Sequence, residues 1–140
     1  FPNSKITSTR RYGEAGPGAE GSLMTGTFEL DGQEFMALNG GPSFVFAQGI
    51  SLFVECETQD EVDRLWDTLS EGGQEQPCGW VTDKFGVSWQ IIPRILGELL
   101  DDEDPAKANR VMSAMLQMGK IEIDGLKRAY ESEEAATPSR

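Results

Sequence analysis

The 140-residue sequence contains no histidine, only two cysteines and half as many basic side chains (12) as acidic ones (24), for a formal charge of −12. Without imidazole there is no Ser-His-Asp or Cys-His nucleophile, no histidine proton shuttle and no zinc site of the usual His-containing kinds. The excess of acid, with no basic cluster, argues against binding to nucleic acid or to an anionic membrane. No apolar run approaches the roughly 18–20 residues that span a bilayer, and no signal-peptide pattern is present. Two thiols, Cys56 and Cys78, make no disulfide framework and read as free thiols of a cytoplasmic protein. What remains is an ordinary globular composition, 38% hydrophobic and 26% charged, of a length that suits one domain. The residues favour a small neutral, cationic or apolar ligand.

The first third reads as strands. Ile6 to Tyr12, Leu23 to Leu30 and Gln33 to Asn39 are strand-like, and Asp31-Gly32 between the last two is a strong hairpin signal because both residues accept positive φ. Gly16-Pro17-Gly18-Ala19-Glu20-Gly21 formally matches GxGxxG, but it joins two antiparallel strands and opens no helix, so it reads as a hairpin loop and not as a phosphate cradle.

From Ile50 to Glu57 a strand is expected with Ser51, Phe53 and Glu55 on one face and Leu52, Val54 and Cys56 on the other. Thr58-Gln59-Asp60-Glu61 matches a capping box, Val62, Leu65, Trp66 and Leu69 recur at helical spacing, and Gly72-Gly73 stops the helix. An extended piece at Gln74 to Gln76 and strands at Cys78 to Thr82 and Val87 to Pro93 follow, a strand-helix-strand-strand-strand order. Beyond it, Asp101 to Asp104 reads as a solvated acidic cluster before a helix with Pro105 in its first turn. Val111, Met112, Met115, Leu116 and Met118 form an apolar stripe for core or dimer contact. A second helix is expected near 125–133, and 132–140 as a frayed tail.

The closing hairpins of the two strand regions superpose at one constant offset: Gly32 falls on Gly86, Asp31 comes shortly before the first as Asp83 does before the second, and Phe35 matches Trp89. The second unit therefore has five elements where the first has only the last three.

The run Cys78-Gly79-Trp80-Val81-Thr82-Asp83-Lys84-Phe85-Gly86-Val87-Ser88-Trp89-Gln90-Ile91-Ile92-Pro93, the opening Phe1-Pro2-Asn3-Ser4-Lys5-Ile6 and Met115-Leu116-Gln117-Met118-Gly119-Lys120-Ile121 closely resemble the PhnB-like family. That family is often labelled 3-demethylubiquinone-9 3-methyltransferase, and it belongs to the vicinal oxygen chelate (glyoxalase/bleomycin resistance) superfamily. The resemblance covers essentially the whole chain. It implies an α+β fold of two βαβββ modules in a curved, cup-like mixed sheet, with C-terminal helices and homodimerisation. Module one would occupy 1–42, module two 49–93 and the helical segment 95–132 of a single glyoxalase-like domain. The strand and helix of module one would then precede Phe1, or be supplied by a partner chain.

The resemblance also implies where metal-dependent relatives hold their ion, commonly on a His of a module's first strand and a Glu of its last. Ser51 stands at the first position, Gln90 at the second, and Met36 is the first-module counterpart of Gln90. Hydroxyl, amide and thioether do not suit a hard divalent cation, so no metal and no cofactor is expected. Alternation instead puts Ser51, Phe53, Glu55, Ser88, Gln90 and Ile92 toward the cup, with Met36 and Leu38 from module one. Met36, Leu38, Phe53 and Ile92 would supply apolar contacts for a small organic ligand and Ser51, Gln90 and Glu55 polar anchors; ordinary sheet packing would show the same alternation. Glu55 is the one candidate general base, or else an exposed strand-end carboxylate. Cys78, with no basic neighbour, reads as an inert thiol. The alternatives to ligand binding are a lyase, isomerase or dioxygenase of the superfamily with ligands upstream, a methyltransferase as the label states, or a dimeric module whose cup is filled by its own side chains.

Overall fold

The computed structural model describes residues 1–132; the tail expected from Ser132 onward lies almost wholly outside them. The fold is α+β, with two open sheets and four helices among the described residues. The chain divides into two compact units, Phe1–Val45 and Phe46–Arg140, and the division falls in the connector between the two strand regions.

The first unit is an antiparallel sheet of β1 (Ser4–Arg11), β2 (Leu23–Leu30) and β3 (Gln33–Leu38), in that order. Asp31 and Gly32 take φ of 48° and 81°, the primed-turn geometry that the Asp-Gly pair calls for. The glycine-rich segment after β1 closes over Tyr12, whose hydroxyl donates to the Asn39 carbonyl at 2.6 Å. A Cβ on Gly16 or Gly18 would lie within 2.5 Å of the Tyr12 ring, so these glycines serve close approach to an aromatic ring.

The second unit builds a mixed sheet in the order β4-β7-β6-β5 from β4 (Ser51–Cys56), β5 (Gln74–Glu75), β6 (Trp80–Thr82) and β7 (Ser88–Pro93). β4 and β7 run parallel, β7, β6 and β5 antiparallel. The parallel crossover is α1 (Gln59–Ser70), and its capping box is complete: Glu61 N–H donates to Thr58 Oγ1, while the Glu61 carboxylate accepts from the Thr58 and Glu57 amides. Gly72, at φ 72°, ends the helix. α1 buries Val62, Leu65 and Trp66, and the Trp66 indole donates to Glu75 at 3.0 Å, tying the helix to β5. Trp89, Ile91 and Val81 share one sheet face by register, and all three are buried.

Four details differ from the sequence reading. β6 starts at Trp80 and not at Cys78, because Cys78 and Gly79 take positive φ (60° and 81°) and give their amides to the Met118 and Gly119 carbonyls. The helical segment expected from 95 opens one residue earlier, with α2 (Arg94–Leu100) following β7 directly and Pro93 at its N-cap offering no side-chain bond. α3 (Pro105–Met115) and α4 (Ile123–Glu131) follow, α4 starting two residues earlier than its spacing suggested. Of the stripe expected from Val111 to Met118, which runs past the end of α3, Val111 is buried and Met115 and Met118 pack on the core, whereas Met112 and Leu116 are exposed. That core is Ile92, Leu96, Val111, Ile121 and Leu126. No helix of the described residues is long and apolar enough to cross a membrane.

Candidate functional site

Strand register in the second unit sorts its side chains into two faces. Ser51 pairs with Ser88 and Ser88 with Thr82; Phe53 pairs with Gln90 and Gln90 with Trp80. Two rows therefore cross the face opposite α1: a hydroxyl row of Ser51, Ser88 and Thr82, and a second row of Phe53, Gln90 and Trp80. This face is partly open, with Phe53 59% exposed.

Within the hydroxyl row the bonding is uneven. Gln90 Nε2 donates to Ser51 Oγ at 2.9 Å, joining the two positions that the superfamily resemblance singled out. Ser88 Oγ and Thr82 Oγ1 are shielded from solvent and have no hydrogen-bond partner among the described residues. Buried hydroxyls are ordinarily bonded, so two unbonded neighbours on one face stand out. Beside them, Gln48, Gln76, Pro77, Trp80 and Thr82 line a cavity of about 240 Å³.

The other expected site residues have different surroundings. Ile92 is 9% exposed and packs with Leu96, Val111, Ile121 and Leu126, because α2 follows β7 without a gap and the C-terminal helices cover that end of the strand. It is a core residue rather than a pocket residue. Glu55 accepts from Arg94 Nε at 2.9 Å and both side chains are about half exposed, so the carboxylate is an ion-paired strand end and not a buried base. Glu57 shares the same guanidinium, and these carboxylates hold its pKa above the ordinary value. Met36 and Leu38 are exposed on β3 of the first unit. Within the second unit, Ser51, Phe53 and Gln90 are thus the expected residues that meet on the open face.

Trp80, Thr82, Gln48 and Gln76 were missed. The signal for two of them was present: the Asp83-to-Gly86 turn fixes which residues of β6 and β7 oppose each other, and so sets Thr82 against Ser88 and Trp80 against Gln90. Asp83 organises that turn by accepting from the Phe85 and Val87 amides and the Trp89 indole. Gln48 and Gln76 lie in irregular segments with no such signal.

Neither thiol forms a disulfide. Burial pushes Cys56 up to about 11, with the nearby Glu61 charge adding to it, so it remains a thiol at neutral pH. A larger, shallow depression of about 600 Å³ lies at α3 and α4, lined in part by Arg110, but that guanidinium is committed to the Ala129 and Tyr130 carbonyls.

Two groups implied by the fold family and its label can be tested against these residues. A divalent ion does not fit: Ser51 and Gln90 offer a hydroxyl and an amide bonded to each other, and no cluster of three His, Cys, Asp or Glu that could hold a metal occurs among the described residues. A doubly wound cofactor site does not fit either, because Gly16 to Gly21 joins two antiparallel strands and wraps Tyr12 instead of opening a helix.

Comparison with known proteins agrees with the architecture. A PhnB protein from Bacillus cereus bearing the name 3-demethylubiquinone-9 3-methyltransferase is 39% identical, with a TM-score of 0.61 over 66% of this chain and 81% of its own. A protein from Pseudomonas aeruginosa, 22% identical with a TM-score of 0.53 over 64% and 77%, shares the fold. No curated protein matches. The family model of 3-demethylubiquinone-9 3-methyltransferase matches residues 1–92, and the chain belongs to that PhnB-like family.

Proposed function

We propose that this chain binds a small, partly apolar organic molecule on the open face of its second sheet, without a divalent metal. The observation that carries the reading is the Gln90-to-Ser51 hydrogen bond, which places an amide and a hydroxyl beside exposed Phe53, at the two positions where metal-dependent relatives commonly hold their ion. An aromatic surface next to a few polar groups is the usual make-up of a small-molecule site. The protein acts as a homodimer in the cytoplasm on this reading; the exposed Phe46, Ile50 and Phe85 of the second unit support self-association.

The methyltransferase named by the family has less support, since the residues that would cradle a nucleotide-like cofactor form a hairpin loop. Titrating S-adenosylmethionine by calorimetry separates the two readings, with no heat expected at millimolar ligand. The ligand reading itself is tested by a ligand-observed NMR fragment screen on wild type and on Gln90→Ala. Fragments that bind wild type and are lost in the folded variant support it, and hits that all persist in the variant overturn it.

A further inference from the structure

From the cavity beside β6 we infer a class for the ligand, an uncharged single-ring compound bearing an amide-like or hydroxyl group; the inference rests on the open-face reading above and extends it to Gln48, Gln76, Trp80 and Thr82, outside the positions set by the superfamily resemblance. Three features of the cavity select that class.

The first is size. At about 240 Å³ the cavity exceeds the roughly 150 Å³ that takes up benzene in an engineered core, and it falls below the roughly 300–1,000 Å³ of drug-sized sites. One ring with a short substituent fits that volume.

The second is charge. None of Gln48, Gln76, Pro77, Trp80 and Thr82 is ionised, so a charged ligand finds no opposite charge in the lining. The net charge of −12 repels anions in addition.

The third is the pattern of polar groups. Two primary amides offer donors and acceptors, and an indole offers a flat face on which a ring can stack. Thr82 Oγ1 and, opposite it in register, Ser88 Oγ are shielded from solvent behind this lining, so the two amides and the indole are the groups a ligand meets. A ligand with both a donor and an acceptor, such as a carboxamide, matches this lining, whereas a hydrocarbon would leave the amides unmatched.

Benzamide and its anionic counterpart benzoate test the class. Each is titrated to millimolar concentration into the isotope-labelled full chain and followed by amide and indole NMR shifts. The expected result is saturable shifts at the Trp80 indole and the Thr82 amide with benzamide, binding of benzoate about tenfold or more weaker, and a severalfold loss of benzamide affinity in Gln76→Ala. Should Gln76→Ala fail to fold, Gln48→Ala serves the same purpose. Benzoate binding as tightly as benzamide would overturn the uncharged class. Saturable shifts confined to Ser51, Phe53 and Gln90 would overturn the cavity while the open-face reading stands. No saturable shift with either compound would overturn the inference, and the fragment screen on Gln90→Ala then decides the open-face reading separately.

Discussion

Gln90 on β7 reaches diagonally to Ser51 on β4: its Nε2 donates to Ser51 Oγ at 2.9 Å, although register pairs Gln90 with Phe53 and Ser51 with Ser88. The bond crosses the parallel strand pair on the open face, where water can replace it in part. Ser51→Ala is therefore expected to cost about 0.5–1 kcal/mol, toward the low end for a neutral hydrogen bond, read as a lower urea midpoint at unchanged m-value. A loss above about 2 kcal/mol would mean that Ser51 holds more of the sheet than this bond.

Ser88 offers the opposite sign. It is 2% exposed and its hydroxyl has no partner among the described residues, so the folded state carries a desolvated polar group without compensation. Ser88→Ala should leave stability unchanged or raise it by up to about 1 kcal/mol in urea unfolding. Clear destabilisation would show that the hydroxyl is bonded in solution.

Gly79 stands where β6 begins and the segment carrying Gly119 crosses it. Its φ is 81°, and an added Cβ would lie 2.8 Å from Ile92 Cδ1 and 3.0 Å from the Ile91 carbonyl. Gly79→Ala combines a left-handed backbone with overpacking of the helical core, an expected loss of about 3 kcal/mol. Gly119→Ala is the control, since its nearest neighbours are 3.9 and 4.0 Å away, and should move the midpoint little.

How much of this was legible in sequence follows from the range of the interactions. Asp31-Gly32 and the Thr58-to-Glu61 box declare themselves because turns and caps are satisfied by residues within four positions. Ser51, Phe53 and Gln90 came together as alternation required, since a period of two survives any tertiary context. Ile92 keeps that alternation but is covered: whether an inward position meets solvent or helices depends on where the chain goes after Pro93, and α2 carries no side-chain cap to announce it. Cys78 and Gly79 looked like the start of a strand, and only the carbonyls of Met118 and Gly119, forty residues on, pull them out of it. The cavity has no sequence signal because Gln48 and Gln76 sit in segments without periodicity.

The Tyr130 hydroxyl donates to the Asp102 carboxylate, and this pair gives the C-terminal helices a pH dependence with two limbs. The hydrogen bond from Tyr130, with one from the Asp104 amide, holds Asp102 below the usual carboxylate range, so its contribution is present above about pH 4 and lost as pH falls through the folded value. The same bond holds Tyr130 above the usual phenol value, so that contribution is present below about pH 10 and lost as pH rises through the raised value. Lys107, stacked on the Tyr130 ring, opposes the second shift. Tyr130→Phe should flatten both limbs of a plot of Tm against pH relative to wild type, and parallel plots would contradict the pairing.

Ser51 and Gln90, bonded to each other, are proposed to form part of an organic-ligand face and not a metal centre. Titration of the purified chain with Mn2+, Ni2+ and Zn2+, read by calorimetry and by metal analysis after gel filtration, tests it. The predicted result is no stoichiometric ion with any of the three; one ion per chain that is lost in Gln90→Ala would contradict it.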